Sequence, residues 1–305
     1  MKLKKSEKFK TLRLLICAIS FGIAAFGCAK SRDFSDVDDL LMATNIIGGT
    51  EANKSFQQKL GIVALSIETT RGTEICAGSL ISRRIVLTAA HCVADGATPV
   101  GRIFALFTHD VAEVRDAGIN SDLVRRVIYK EVHRDFLQPG SRSTAADIAL
   151  LLLESDAPES TRTTVLSTSA KLTVAGQKRV MQVGYGRTIE DRTIRDSNIG
   201  RLRYVNGIEI LRQSSDGSEL LLKEDEKGSC TGDSGGPAFY REPRTGNYVQ
   251  IALNSRGTTN ESCIREGIYT NTIAFLPWIQ EKSADLNAYA ESQQTNSLPD
   301  TTLAE

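Results

Sequence analysis

The run Cys230-Thr231-Gly232-Asp233-Ser234-Gly235-Gly236-Pro237 places one serine in a tight glycine-rich turn. Glycines on both sides of Ser234 open backbone conformations closed to other residues and leave the hydroxyl uncrowded, as a nucleophile requires. A serine hydroxyl attacks poorly unless a base takes its proton, so the run calls for a histidine and for an acid that orients it. The chain has three histidines, His91, His109 and His133. His91 lies in Leu87-Thr88-Ala89-Ala90-His91-Cys92, directly after the apolar strand-like run from Ile85, and Cys92 offers a covalent anchor for its loop. It is the candidate base. His109 follows a strand-like segment in a polar stretch and His133 lies between Glu131 and Arg134, so both read as solvated surface residues.

The acid should be buried at the head of an ordered strand, since it has to hold the imidazole in one tautomer and stabilise the imidazolium. Asp147 opens Asp147-Ile148-Ala149-Leu150-Leu151-Leu152-Leu153, a continuous apolar run that reads as a fully buried strand. A carboxylate left without a partner there is costly. Taken alone, Asp147 reads as a turn residue at a strand start. Beside the other two motifs it becomes the candidate acid.

Four motifs, Ile46-Ile47-Gly48-Gly49, Thr88-Ala89-Ala90-His91-Cys92, Asp147-Ile148-Ala149-Leu150 and Gly232-Asp233-Ser234-Gly235-Gly236-Pro237, resemble the trypsin and chymotrypsin family of serine proteases, in its secreted bacterial-type form. The resemblance implies an all-β fold of two six-stranded antiparallel barrels with a C-terminal helix, and a serine endopeptidase acting on protein or peptide substrates. Ser234 would attack, His91 would relay its proton, Asp147 would orient His91, and the N–H groups of Gly232 and Ser234 would form the oxyanion hole. Asp233 would bind the α-ammonium of Ile46 once the chain is cut between Asn45 and Ile46. Asn45 stands where the family usually carries a basic residue, so activation by another protease, or by one of unusual specificity, is expected. The alternative from a different class is a catalytically silent binding protein on the same scaffold.

By the same resemblance the bridges would be Cys76 to Cys92 and Cys230 to Cys263, although the four cysteines alone allow three pairings. No Cys-x-x-Cys spacing or histidine cluster supports a metal site, and neither metal nor cofactor is expected. The pocket for the residue before the scissile bond would have Gly228 and Ser229 at its floor and Ser255, Gly257 and Gly267 in its walls. With no acid at Gly228 the slot reads as roomy and neutral, suited to large apolar side chains rather than Arg or Lys. Arg256 or Arg265 turned into the slot would instead favour acidic side chains, and burial statistics favour both being solvated.

These residues need elements to position them. Lys2, Lys4, Lys5, Lys8, Lys10 and Arg13 precede the apolar stretch Leu14 to Gly27, which is short for a membrane span and reads as a secretory signal over residues 1–27. Against Glu7 these cations leave the segment at +5, so the formally neutral chain carries −5 elsewhere, which argues against nucleic-acid partners. Ala25-Phe26-Gly27-Cys28 resembles a bacterial lipobox, and two readings stay open: lipidation of Cys28, tethering the uncut chain to a membrane, or an ordinary signal with a stray cysteine. Localisation is therefore secreted or periplasmic, with any anchor removed on activation. Residues 28–45 read as a polar propeptide, 46–284 as the catalytic domain, expected to be a monomer, and 285–305 as a polar tail. Strands are expected at Leu60 to Ile67, Ile75 to Ile81, Ile103 to Phe107, Val124 to Val132 and Arg201 to Leu211. The join between barrels falls near Ser167 to Gln177, and a helix over Ile273 to Ala290 is expected to dock on the second barrel.

Overall fold

The computed structural model describes residues 46–296 except 95–99, 119, 137–145, 174–177, 192, 260–262 and 264. The signal, the propeptide, Cys28 and Asn45 lie outside the described residues. The first barrel is built from β2 (Ile62–Thr69), β3 (Gly72–Leu80), β4 (Ile85–Thr88), β5 (Val100–Leu106), β6 (Val124–Val132) and β7 (Ala149–Leu153), closed in the order β2-β3-β4-β7-β6-β5. The run Leu150 to Leu153 is buried on both faces because one face lines the barrel and the other meets the C-terminal helix.

The second barrel joins β8 (Arg179–Gly184), β9 (Arg203–Gln213), β10 (Glu219–Lys223), β13 (Glu266–Asn271), β12 (Tyr248–Gly257) and β11 (Pro237–Arg241), and the pairing of β8 with β9 closes it. A short β1 (Thr50–Glu51) adds to β9. Both expected barrels are thus present, antiparallel throughout their named strand pairs. Tyr185, just after β8, is wholly buried and donates its hydroxyl to Thr108 O at 2.6 Å, tying the second barrel to the first.

Four expectations are corrected. The strand expected from Leu60 begins at Ile62, because α1 (Lys54–Leu60) precedes it, capped by the Asn53 side chain on Phe56 N at 2.9 Å and ended by Gly61 in the left-handed conformation. The terminal helix α4 runs Leu276–Asn296, so the stretch from 285 begins as helix rather than tail. It packs on the first barrel rather than the second: Ile279, Leu286 and Ala290 are buried in one cluster with Leu151 and Leu153. His133 is packed rather than solvated, with its ring 5.2 Å from Phe275 and 5.0 Å from Trp278, and burial lowers its pKa.

Candidate active site

Strand register brings His91 and Asp147 together. In the β4–β7 pair, Thr88 stands opposite Ala149, so the residues just beyond β4 lie beside those just before β7. Beyond β4 a one-turn helix α2 (Ala90–Val93) carries His91, and before β7 comes Asp147. His91 N donates to Asp147 Oδ1 at 2.8 Å, and His91 Nδ1 lies 2.7 Å from Asp147 Oδ2. Asp147 is buried, whereas the His91 side chain is 37% exposed. A carboxylate can only accept, so Nδ1 carries the proton and Nε2 presents its lone pair. From the second barrel the Ser255 hydroxyl donates to Asp147 Oδ2 at 2.6 Å, and Thr270 Oγ1 donates to Asp147 O at 3.0 Å.

Ser234 lies in the turn between β10 and β11, and three backbone bonds fix that turn. Ala77 N donates to Ser234 O at 2.7 Å, Gly235 N to Asn254 O at 2.8 Å, and Asn254 N to Gly236 O at 2.8 Å. Cys76, next to Ala77, is bridged to Cys92, next to His91, so one short piece of β3 holds both the serine turn and the histidine helix. The second bridge joins Cys230 to Cys263. Both pairings are those the family resemblance implies. Among the described residues no hydrogen bond joins Ser234 Oγ to His91, and none uses the N–H groups of Gly232 or Ser234. Two donors flanking a serine and left without acceptors suit an oxyanion.

Gly235 has no room for a side chain. Its φ is +78°, and a Cβ there would lie 2.4 Å from Ala77 O and 2.9 Å from Ala89 N. Gly235→Ala is expected to lower the melting temperature by about 10 °C, equivalent to roughly 3 kcal/mol of strain and overpacking. A thermal melt checks it, and a midpoint within about 2 °C of wild type would contradict it.

Asp233 is fully buried. Its Oδ1 accepts from Gly186 N at 2.7 Å and its Oδ2 from Cys230 N at 2.8 Å. Burial raises its pKa to about 7, with Glu224 adding to the rise and Arg203 opposing it. Ile46 is buried too, and Gly228 N donates to Ile47 O at 3.0 Å, so the segment beginning at Ile46 reaches Gly228, the residue expected at the pocket floor.

A carboxylate lies beside Gly228, the residue expected at the pocket floor. Glu224, in the loop after β10, turns inward among exposed neighbours Lys223, Asp225 and Glu226 and is buried. Its Oε1 lies within hydrogen-bond distance of Ser229 N (3.2 Å), Ser229 Oγ (2.8 Å), Tyr269 OH (2.9 Å) and Gln182 Nε2 (2.6 Å). Burial raises its pKa while these donors oppose the rise. Of the other residues expected to line the pocket, Ser255 is engaged with Asp147, and Gly257 pairs across the sheet with Gly267. Arg256 is held by Glu219 at 2.7 Å and Arg265 is exposed. Sequence reasoning missed Glu224 because it sits in a run of charges, which usually are solvated. The available signal was the pair of glycines, Gly228 and Gly267, that leave its space open.

Among the described residues one group, Cys76, His91 and Cys92, has three potential metal-ligand atoms close together, and its two sulfurs are spent on the disulfide. Among the described residues no helix is long and apolar enough to cross a membrane.

Comparison with known proteins agrees with this geometry. The family model described as Trypsin matches residues 46–279. Phenoloxidase-activating enzyme of Bombyx mori is 30% identical over 279 residues, covering 79% of this chain and 61% of that protein. Serine protease SP24D of Anopheles gambiae is 29% identical over 251 residues, covering 76% of this chain and 85% of its own length. Trypsin theta of Drosophila melanogaster is 24% identical over 284 residues, covering 90% and 99%.

Proposed function

This chain belongs to the trypsin family of serine-type endopeptidases, and from that premise we propose that it hydrolyses peptide bonds through Ser234, His91 and Asp147 after a cut before Ile46. The observation that carries the reading is the buried Asp147 carboxylate bonded to both the main chain and the ring of His91, which leaves Nε2, 3.9 Å from the protonless disulfide sulfur of Cys92, as the base. The Ser234 hydroxyl attacks the scissile carbonyl as its proton passes to Nε2. The N–H groups of Gly232 and Ser234 receive the oxyanion, and removing one such donor typically costs about 100 to 1,000-fold in turnover. The His91 imidazolium, stabilised by Asp147, then protonates the leaving amine. Water activated by the same Nε2 releases the acyl group from Ser234 and restores the enzyme.

This reading requires protein or peptide substrates and an activating protease able to cut after Asn45. The two disulfides fit export to an oxidising compartment, in line with the signal expected over residues 1–27. A fluorophosphonate probe, which reacts only with an activated serine, tests the proposal. Protein cut before Ile46 is expected to label, and the Ser234→Ala variant to remain unlabelled. Absence of Ser234-dependent labelling would instead favour a silent binding protein on the protease scaffold.

A further inference from the structure

We propose that Glu224 makes this enzyme cleave after arginine or lysine, by presenting a carboxylate at the pocket floor from a different point in the chain than the position of Gly228. The proposal rests on the reading of the chain as a serine endopeptidase and adds the residue that selects its substrate.

Glu224 fills the space a side chain at the floor would occupy. A Cβ at Gly228 would lie 2.6 Å from Glu224 Cβ, 2.7 Å from its Cγ and 2.8 Å from its Cδ, and a Cβ at Gly267 would lie 2.7 Å from its Cδ and Oε2. Both glycines are therefore the room that Glu224 needs, one on the floor and one on the wall. The two carboxylate oxygens then do different work. Oε1 is surrounded by Ser229, Tyr269 and Gln182, which fix the group rigidly. Oε2 receives no hydrogen bond among the described residues, and it points to the side where Gly267 has no Cβ. A carboxylate oxygen on a largely desolvated side chain, left without a protein donor, is costly. An ammonium or guanidinium arriving on the substrate supplies the missing charge and hydrogen bonds together.

The charges around the floor favour the same ligand. Of the loop cations, Lys223 is turned outward onto Asp225 at 3.1 Å, and Lys227 donates to Asn206 O at 2.9 Å. Of the two arginines that could have recruited an acidic substrate, Arg256 is already paired with Glu219 and Arg265 is exposed. A large apolar side chain would strip the remaining hydration from Oε2 and offer nothing in return.

The test uses protein that labels at Ser234 with fluorophosphonate, so that a failed protease reading shows before specificity is measured. kcat/KM is determined on matched fluorogenic peptides with Arg, Lys, Phe or Glu before the scissile bond. Arg and Lys are expected to exceed Phe by at least about 100-fold. In Glu224→Gln, which keeps the volume and most of the hydrogen bonds, that ratio is expected to collapse by about 100-fold while Ser234 continues to label. A separate binding arm measures the thermal shift given by benzamidine. It is expected to stabilise Ser234→Ala, and to leave Ser234→Ala/Glu224→Gln unshifted. Preference for Phe or Glu in the wild type, or an unchanged Arg-to-Phe ratio in Glu224→Gln, overturns the proposal. If no form labels, the protease reading falls, and the benzamidine shift still decides whether Glu224 forms a cation site.

Discussion

Asp147→Asn is expected to lower kcat by about 10,000-fold near neutral pH while leaving the fold intact. The reason lies in what each carboxylate oxygen accepts. Oδ1 takes the main-chain N–H of His91 at 2.8 Å, and Oδ2 takes the ring Nδ1 at 2.7 Å and the Ser255 hydroxyl at 2.6 Å. Asparagine matches the shape, so the packing around this buried site survives. Its carbonyl oxygen can satisfy one side only, and its amide presents N–H to the other. Directed at Nδ1, that N–H requires Nδ1 to accept, which moves the imidazole proton to Nε2 and removes the base from Ser234. If the amide faces the opposite way, it meets His91 N–H donor to donor and the helix turn shifts. Either arrangement also loses the negative charge that stabilises the imidazolium. Steady-state kinetics with a thermal melt checks this: kcat should fall and the melting temperature should stay close to wild type. A kcat within about tenfold of wild type would remove Asp147 from the mechanism.

The parts of this site legible in the sequence were those whose determinants are local. His91 and Asp147 each adjoin a short apolar strand, and β4 and β7 pair so that those ends coincide. Ser234 announces itself through glycines that its turn cannot replace, as the contacts of Gly235 make plain. The all-β pattern followed from short strands with turn residues between them, and the two barrels came from the resemblance to a known family. Glu224 was not legible. Its burial depends on the register of β10 with β13, which sets Leu222 opposite Gly267, and on a loop that turns one of five successive charged residues inward. A propensity argument treats Lys223, Glu224, Asp225, Glu226 and Lys227 alike, and only the long-range pairing distinguishes them. The docking of α4 was hidden for the same reason. Leu286 and Ala290 are spaced for one helix face, but their partner surface on the first barrel is far away in sequence.

Cutting before Ile46 is expected to raise activity by at least about 1,000-fold, the effect of assembling an oxyanion donor, and to change how stability depends on pH. In the uncut chain Asp233 is buried with two N–H donors and a pKa near 7, while its ordinary value is 3.8. A folded pKa above the unfolded one means that the folded state binds the proton more tightly. The associated stability is fully present below about pH 4 and is lost as pH rises through about 7. A shift of this size corresponds to roughly 4 kcal/mol. Ionised Asp233 in the uncut chain has Glu224 as a repelling neighbour and Arg203 as an attracting one. A freed Ile46 ammonium, charged below about pH 8, would supply the missing countercharge and hold the turn that carries Gly232 and Ser234. Ser234→Ala protein with a site-specific protease sequence placed before Ile46 allows both forms to be compared without autolysis. The cut form should melt at least about 5 °C above the uncut form at pH 7.5. That gap should shrink toward pH 5, where Asp233 in the uncut chain is protonated and needs no partner. In Asp233→Asn the pH dependence of the gap should vanish, and the corresponding enzyme with Ser234 intact should stay as inactive after cutting as before. Equal melting curves for cut and uncut protein across this range would break the link between Ile46 and Asp233.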